Sequence, residues 1–435
     1  MSRVNWPFLR TDNPTIVRTE GVYLYTADGR RVLDAAGGAI VANVGHGRER
    51  VAARVAEATR ECTYVVPPWI TPSRQSLVET LGRDWLPDSL TRIHITSGGS
   101  EAVEAGMKMA LQYQAAIGRP ERHKIIARSV SYHGTTVTTT ALSGHPVRKR
   151  GLEHALVTYP RAPTPYPLRC PLGSHHPDAG RFYVEELRAV IEAEGPETIA
   201  ALVAEPITGS SGGAIVPPED YWGEVRRLCD EFGLLLILDE VMTGFGRTGR
   251  PFGYQHWDMA PDILVAGKGL AGGYAPIGGA YATEAVGTAL KEAGLGVMFH
   301  TFGAHPAACA AATEVLNILT EEALVERAAQ QGERLKARLE SAFAQHPHVA
   351  EVRGRGLLLA IEVVRDRQTL EPYAEADNVA NRIVGHALEH GVFFYGGGTG
   401  EVRDIVCMGP PFIIDDDHID MMVDTLSRAV DEVTA

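Results

Sequence analysis

The chain has 435 residues, 45% of them hydrophobic and 22% charged, with a formal charge of −13 from 41 Lys+Arg against 54 Asp+Glu. That composition suits a globular protein of two or three packed domains and argues against nucleic acid or an anionic membrane as the main partner. Five scattered cysteines (Cys62, Cys170, Cys229, Cys309, Cys407) form no CxxC pair, which fits reduced thiols in a cytoplasmic protein better than a disulfide framework. The opening MSRVNWPFLRTDNP lacks the apolar stretch of a signal peptide, and no apolar run approaches the ~20 residues of a membrane span.

In chain order, Val22–Tyr25 and Arg31–Asp34 flank Ala27-Asp28-Gly29-Arg30 and predict a hairpin with a DG turn. GGAIVANVGHG follows, then an amphipathic helix from about Glu49. Ile93–Thr96 predicts a short strand. The Ser-Gly-Gly-Ser after it opens a helix with apolar positions Ala102, Ala105, Met109 and Tyr113. A glycine-rich turn at a helix N-terminus offers free N–H groups to an anion, although serine and glycine are also common caps. Lys124–Ala127 predicts a further strand, followed by SVSYHG. Residues 160–182, rich in Pro and Gly, read as a loop covering the active site or a subunit contact. Cys170, His175, His176 and Asp178 within it lack the paired spacing of a zinc site, so no metal is expected.

Residues 198–205 predict a strand ending in Glu205, and residues 221–232 a helix. Two continuously apolar runs come next. Leu234–Leu238 ends in Asp239-Glu240, and Ile263–Ala266 ends in Gly267-Lys268-Gly269. Continuous rather than alternating apolarity predicts buried parallel strands. Asp239 and Lys268 then share the carboxyl edge of the sheet, where open α/β folds bind ligands. A lysine amine can form a Schiff base with an aldehyde, and a carboxylate can keep a pyridinium nitrogen protonated. Lys268 and Asp239 together are what pyridoxal 5′-phosphate (PLP) requires; alternatively Asp239 caps a loop and Lys268 is a solvated lysine. From about Glu321 helices alternate with short strands such as Val352–Leu359.

The stretch DEVMTGFGRTG followed by PDILVAGKGLAGGYAPIGG resembles the class III aminotransferases of PLP fold type I, and the resemblance runs over essentially the whole chain. It implies an α/β fold: a large domain with a mostly parallel seven-stranded sheet flanked by helices, and a small α+β domain from both termini. The expected division is 1–60 and 321–435 for the small domain and 61–320 for the PLP-binding domain. The resemblance implies that Lys268 carries PLP as a Schiff base and moves the substrate proton, while Asp239 holds the ring nitrogen charged. Gly99 and Ser100 match the phosphate-binding G-S-E-A. Tyr132, with His133 and Gly134 completing the YHG, matches the ring-stacking tyrosine, and Val241 falls on the opposite ring face. Glu205 matches a glutamate beside the cofactor, and Thr301 matches a threonine that binds the phosphate of the neighbouring subunit. A homodimer, possibly a tetramer, with shared active sites follows.

Relatives that accept amines often carry a bulky aromatic after the glycine pair, where Ala39 and Ile40 stand here. Tyr64, Val65, Val66 and Trp69 could supply pocket walls instead, or could be core. Relatives specific for 2-oxoglutarate often have an arginine three residues before the PP pair, and Cys407 holds that place. Some pyruvate users have a mobile arginine nearby, which Arg403 resembles; it could equally be a solvated loop charge. These features imply ping-pong transfer from a primary amine or ω-amino acid to a keto acid, with pyruvate favoured over 2-oxoglutarate. The alternative is a decarboxylase or aminomutase on the same fold. A PLP-binding regulator predicts loss of Lys268 or Asp239, and a nucleotide site lacks its GK(S/T) or GxGxxG motif.

Overall fold

In the computed structural model, which describes residues 14–296, 299–400 and 402–435, the apolar runs meet in one central sheet. The chain enters through three antiparallel strands, β1 (Ile16–Glu20), β2 (Tyr23–Thr26) and β3 (Arg31–Asp34). The β2–β3 turn is the predicted one, with Gly29 at φ +86° and the Thr26 N–H donating to Arg30 O. Residues 1–13, where no signal peptide is expected, lie outside the described residues. Among the described residues, no helix is long and apolar enough to cross a membrane.

The central sheet holds β4 (Arg92–Thr96), β5 (Lys124–Arg128), β6 (Arg161–Ala162), β7 (Ile199–Ala204), β8 (Leu235–Asp239), β9 (Ile263–Ala266) and β10 (Gly278–Ala282). Its spatial order is β4-β10-β9-β8-β7-β5-β6. Only β10 runs antiparallel to its neighbours. β7, β8 and β9 are buried at every position, because helices cover both faces. Alternate residues feed two cores. Ile237, Ile263 and Val265 point to the face under the helix Gly99–Ala116, while Leu236, Leu238 and Leu264 face the other layer. The fit under that helix is close: a Cβ on Gly106 would lie 2.9 Å from Val265 Cγ1. The helix Tyr221–Phe232 stops where Gly233 turns left-handed at φ +67°.

The small domain draws on both termini. A second sheet contains β11 (Val349–Arg355), β12 (Leu358–Val363), β14 (Tyr395–Thr399) and β15 (Val402–Met408), all antiparallel in the order β11-β12-β15-β14. The short β13 (Val392–Phe393) pairs with β3 and so joins the C-terminal part to the N-terminal hairpin.

Two expectations need correction. Residues 352–359 span the end of β11, a turn and the start of β12 rather than one strand, because Gly356 at φ +53° reverses the chain between them. Residues 160–182 are not all loop. Arg161–Ala162 pairs with β5, and a helix begins at Ala179. The polar contacts of this segment anchor it to the small domain, where the Tyr166 hydroxyl and the Arg169 guanidinium both reach Glu362.

Candidate active site

The parallel register sets Asp239 of β8 beside Val265 of β9, and two residues beyond the end of β9 comes Lys268. Lys268 has φ +36°, an unfavourable value for a side-chain-bearing residue and the kind of strain that persists where surrounding structure enforces it. Asn43 Nδ2 donates to Gly269 O at 2.8 Å, and a Cβ on Gly269 would press within 3.2 Å of Asn43 Nδ2 and Phe245 Cβ. The Lys268 amine makes no hydrogen bond or ion pair with any described residue. Burial pushes it down from 10.5 to about 8, against the opposing pull of Asp239 and Glu205.

Lys268 opens into a cavity of about 190 Å³ lined by Gly99, Ser100, Tyr132, His133, Gly134, Glu205, Asp239, Val241, Met242 and Lys268. Eight of these are the cofactor residues expected from the sequence. A larger cavity of about 650 Å³ lies beside β4 and β10, but no lysine lines it, so volume alone does not mark the site.

The Asp239 carboxylate is 3% exposed and doubly held. Its Oδ2 lies 2.8 Å from His133 Nδ1, and its Oδ1 accepts the Val241 N–H at 3.0 Å. The other imidazole nitrogen, His133 Nε2, is buried without a partner among the described residues. Glu205 accepts the Tyr132 N–H (3.2 Å) and the Gly209 N–H (2.8 Å). Burial, with Asp239 nearby, raises its carboxyl to about 6 despite the His133 contribution. The first N–H groups of the helix Gly99–Ala116 have no intrahelical acceptor and face the cleft with its positive dipole end. Glycine is needed at position 99, since a Cβ there would sit 2.9 Å from Val241 Cγ1.

Five expected site residues lie elsewhere. Ile40 is buried against Gly409, at φ +59°, and does not line the cavity. Tyr64 and Trp69 are 43% and 67% exposed, outside it; Tyr64 instead meets Phe302 with ring centroids 6.1 Å apart. Arg403 lies in a neighbouring groove, its Nε and Nη1 donating to Tyr373 O and Gly400 O. Thr301 is exposed and also outside this cavity. Sequence reading passed over Met242 as a lining residue, although its place beside Val241 could have suggested it. It also passed over Arg148, whose guanidinium carbon lies 4.8 Å from the Tyr132 ring centroid. Among the described residues, no three His, Cys, Asp or Glu side chains gather where they could hold a metal.

These residues fit PLP on their own chemistry. An unpaired amine of lowered basicity, a carboxylate fixed on one side of it, and an open cradle of helix N–H groups line one small cavity. Fold and site together define a PLP-dependent transferase of fold type I. The sequence profile of the aminotransferase class-III family matches residues 10–430, and the chain belongs to that family. It is 36% identical to the taurine–pyruvate aminotransferase of Rhodobacter capsulatus, over 99% of this chain and 94% of that protein. It is 32% identical to the putrescine–pyruvate aminotransferase of Pseudomonas aeruginosa, over 97% and 91%. An amine transaminase from an uncultivated Pseudomonas species, solved with PLP bound, superposes with a TM-score of 0.93 at 33% identity, over 100% of this chain and 99% of that one.

Proposed function

We propose that the enzyme moves an amino group from a primary amine or ω-amino acid to a keto acid, with pyruvate preferred, in two half-reactions. The observation that carries this reading is the convergence of Lys268, Asp239, Tyr132 and the Gly99–Ser100 cradle on one cavity. Two relatives whose names specify pyruvate as acceptor support the choice of keto acid.

Bound PLP supplies an electron sink for the carbon that carries the amino group. Asp239, steered by His133 and the Val241 N–H, holds a proton on the ring nitrogen. The Gly99 and Ser100 N–H groups take the phosphate. Tyr132 and Val241, which line the same cavity, would hold the ring between them, and Glu205 would lie beside it. The Lys268 amine, neutral in an appreciable fraction at neutral pH, carries the cofactor at rest and moves the proton at the substrate carbon. Thr301, exposed here, serves the phosphate of a second subunit, which makes the working unit a homodimer or a dimer of dimers. The five cysteines are unpaired, consistent with a cytoplasmic enzyme. The domain division is 1–60 with 321–435, and 61–320.

The test is to incubate the PLP-saturated protein with single amine donors plus pyruvate or 2-oxoglutarate and assay alanine and glutamate. Alanine exceeding glutamate supports the reading. Glutamate alone overturns the acceptor, and carbon dioxide without either amino acid points to decarboxylation.

A further inference from the structure

Beside the cleft runs a groove of about 540 Å³, walled by Tyr395–Gly400 on one side and by the segment carrying His145 and Arg148 on the other. Three arginines line it, and they differ in what holds them. Arg150 pairs with Glu375 at 2.8 Å. Arg403 spends its Nε and Nη1 on the carbonyls of Tyr373 (2.9 Å) and Gly400 (3.2 Å). The Arg148 side chain makes no hydrogen bond or ion pair with any described residue. Its directed contact is with the Tyr132 ring, 4.8 Å from guanidinium carbon to ring centroid. The other bases nearby are committed or uncharged. The Lys149 amine donates to Ala141 O, and burial pushes His145 down to about 4.

An unpaired arginine on an open surface is ordinary. This one lies against the side chain that walls the cofactor cavity, and its charge lowers the basicity of the Lys268 amine. Stacking on an aromatic ring fixes the guanidinium plane while leaving its N–H edge free, the geometry that suits a carboxylate. The groove and the cavity adjoin at the contact of Arg148 with Tyr132, and Lys268 lines only the cavity, so the edge is offered to the far end of a substrate rather than to the reacting carbon.

We propose that Arg148 is a specificity-determining residue that binds the distal oxyanion of an ω-amino acid donor. The role that sequence reasoning gave to Arg403 thereby passes to a residue 255 positions earlier (403 − 148). The inference rests on the aminotransferase reading above and narrows it from amines in general to amines with an anionic tail.

Three isosteric donors separate the possibilities: 4-aminobutanoate, 3-aminopropane-1-sulfonate and butylamine, each with pyruvate and PLP-saturated enzyme. The wild type should prefer the two anions. R148Q should lower kcat/KM for them by roughly 10- to 100-fold, chiefly through KM, as expected for losing a hydrogen-bonded charge, and leave butylamine within about threefold. R148K should recover part of the loss, since it restores charge without the fork. A loss for 4-aminobutanoate alone assigns a carboxylate, and equal losses assign either oxyanion. A uniform fall for all three donors would overturn the proposal in favour of an indirect effect through Tyr132. So would an anion-selective loss in R403Q with R148Q unaffected. If the wild type uses butylamine as well as the anions, only this inference fails; if it uses none of the three, the donor class proposed above fails with it.

Discussion

The Lys268 amine is placed to titrate near neutrality, and that can be measured in the PLP-free protein. Burial lowers its pKa from 10.5 to about 8. At pH 7 this leaves about 10% of the amine neutral, against about 0.03% for an ordinary lysine, roughly a 300-fold gain in nucleophile. The same shift means that keeping the amine charged at pH 7 costs the fold about 3 kcal/mol. The rate at which PLP-free protein captures added PLP, followed by absorbance across the neutral to alkaline range, should therefore rise with a midpoint near 8. Asp239 opposes the shift, so Asp239→Asn should move the midpoint lower. Stability gives an independent readout. The folded form releases this proton more readily than the unfolded chain, so stability of the PLP-free protein rises with pH between about 8 and 10.5. Lys268→Met should abolish that rise and be more stable than the wild type at pH 7. A capture midpoint near 10.5, or an unchanged stability slope in Lys268→Met, would refute the claim that this amine is desolvated.

Glu205 has the opposite sign. Its folded-state value is raised from 4.5 to about 6, so stability falls as pH climbs through that interval, by about 2 kcal/mol in total. Glu205→Gln should remove that fall in denaturant titrations of the PLP-free protein. His133→Ala leaves Asp239 Oδ2 without its 2.8 Å partner and should cost about 1–3 kcal/mol, read as a lower denaturation midpoint together with faster loss of PLP on dialysis. Gly99→Ala brings a Cβ within 2.9 Å of Val241 and into the phosphate cradle. It should weaken PLP retention by about tenfold or more, as overpacking of a tight contact does.

The sheet edge was legible because β8 and β9 are apolar at every position, which only central strands of a helix-covered sheet sustain. That reading carried Asp239 and Lys268 to the same edge without any knowledge of the intervening chain. The helix 221–232 was readable in both bounds, with Gly233 marking its end. Residues 352–359 misled because the apolar run through Leu357–Leu359 conceals a reversal that depends on the φ of one glycine. The pairing of Arg161–Ala162 with β5 is a tertiary contact, and nothing local in a proline-rich stretch announces it. The contact between His133 and Asp239 joins residues 106 apart, and the stacking of Arg148 on Tyr132 depends on a loop that sequence treats as a connector. Resemblance found eight residues that line one cavity with Lys268 among them, since the chemistry expected of them is fixed. It was less informative about Ile40, Tyr64, Trp69 and Arg403, whose positions follow from loop packing.

Lys268 is the residue on which the assignment of this cavity depends. The chain holds six lysines, at positions 108, 124, 149, 268, 291 and 336. Reducing the PLP-loaded protein with borohydride and mapping the modified peptide by mass spectrometry reports which of them carries the cofactor. A single pyridoxyl label on Lys268, lost in Lys268→Ala, is the result predicted here. A label on another lysine, or none after saturation with PLP, would contradict the assignment of this cavity as the active site.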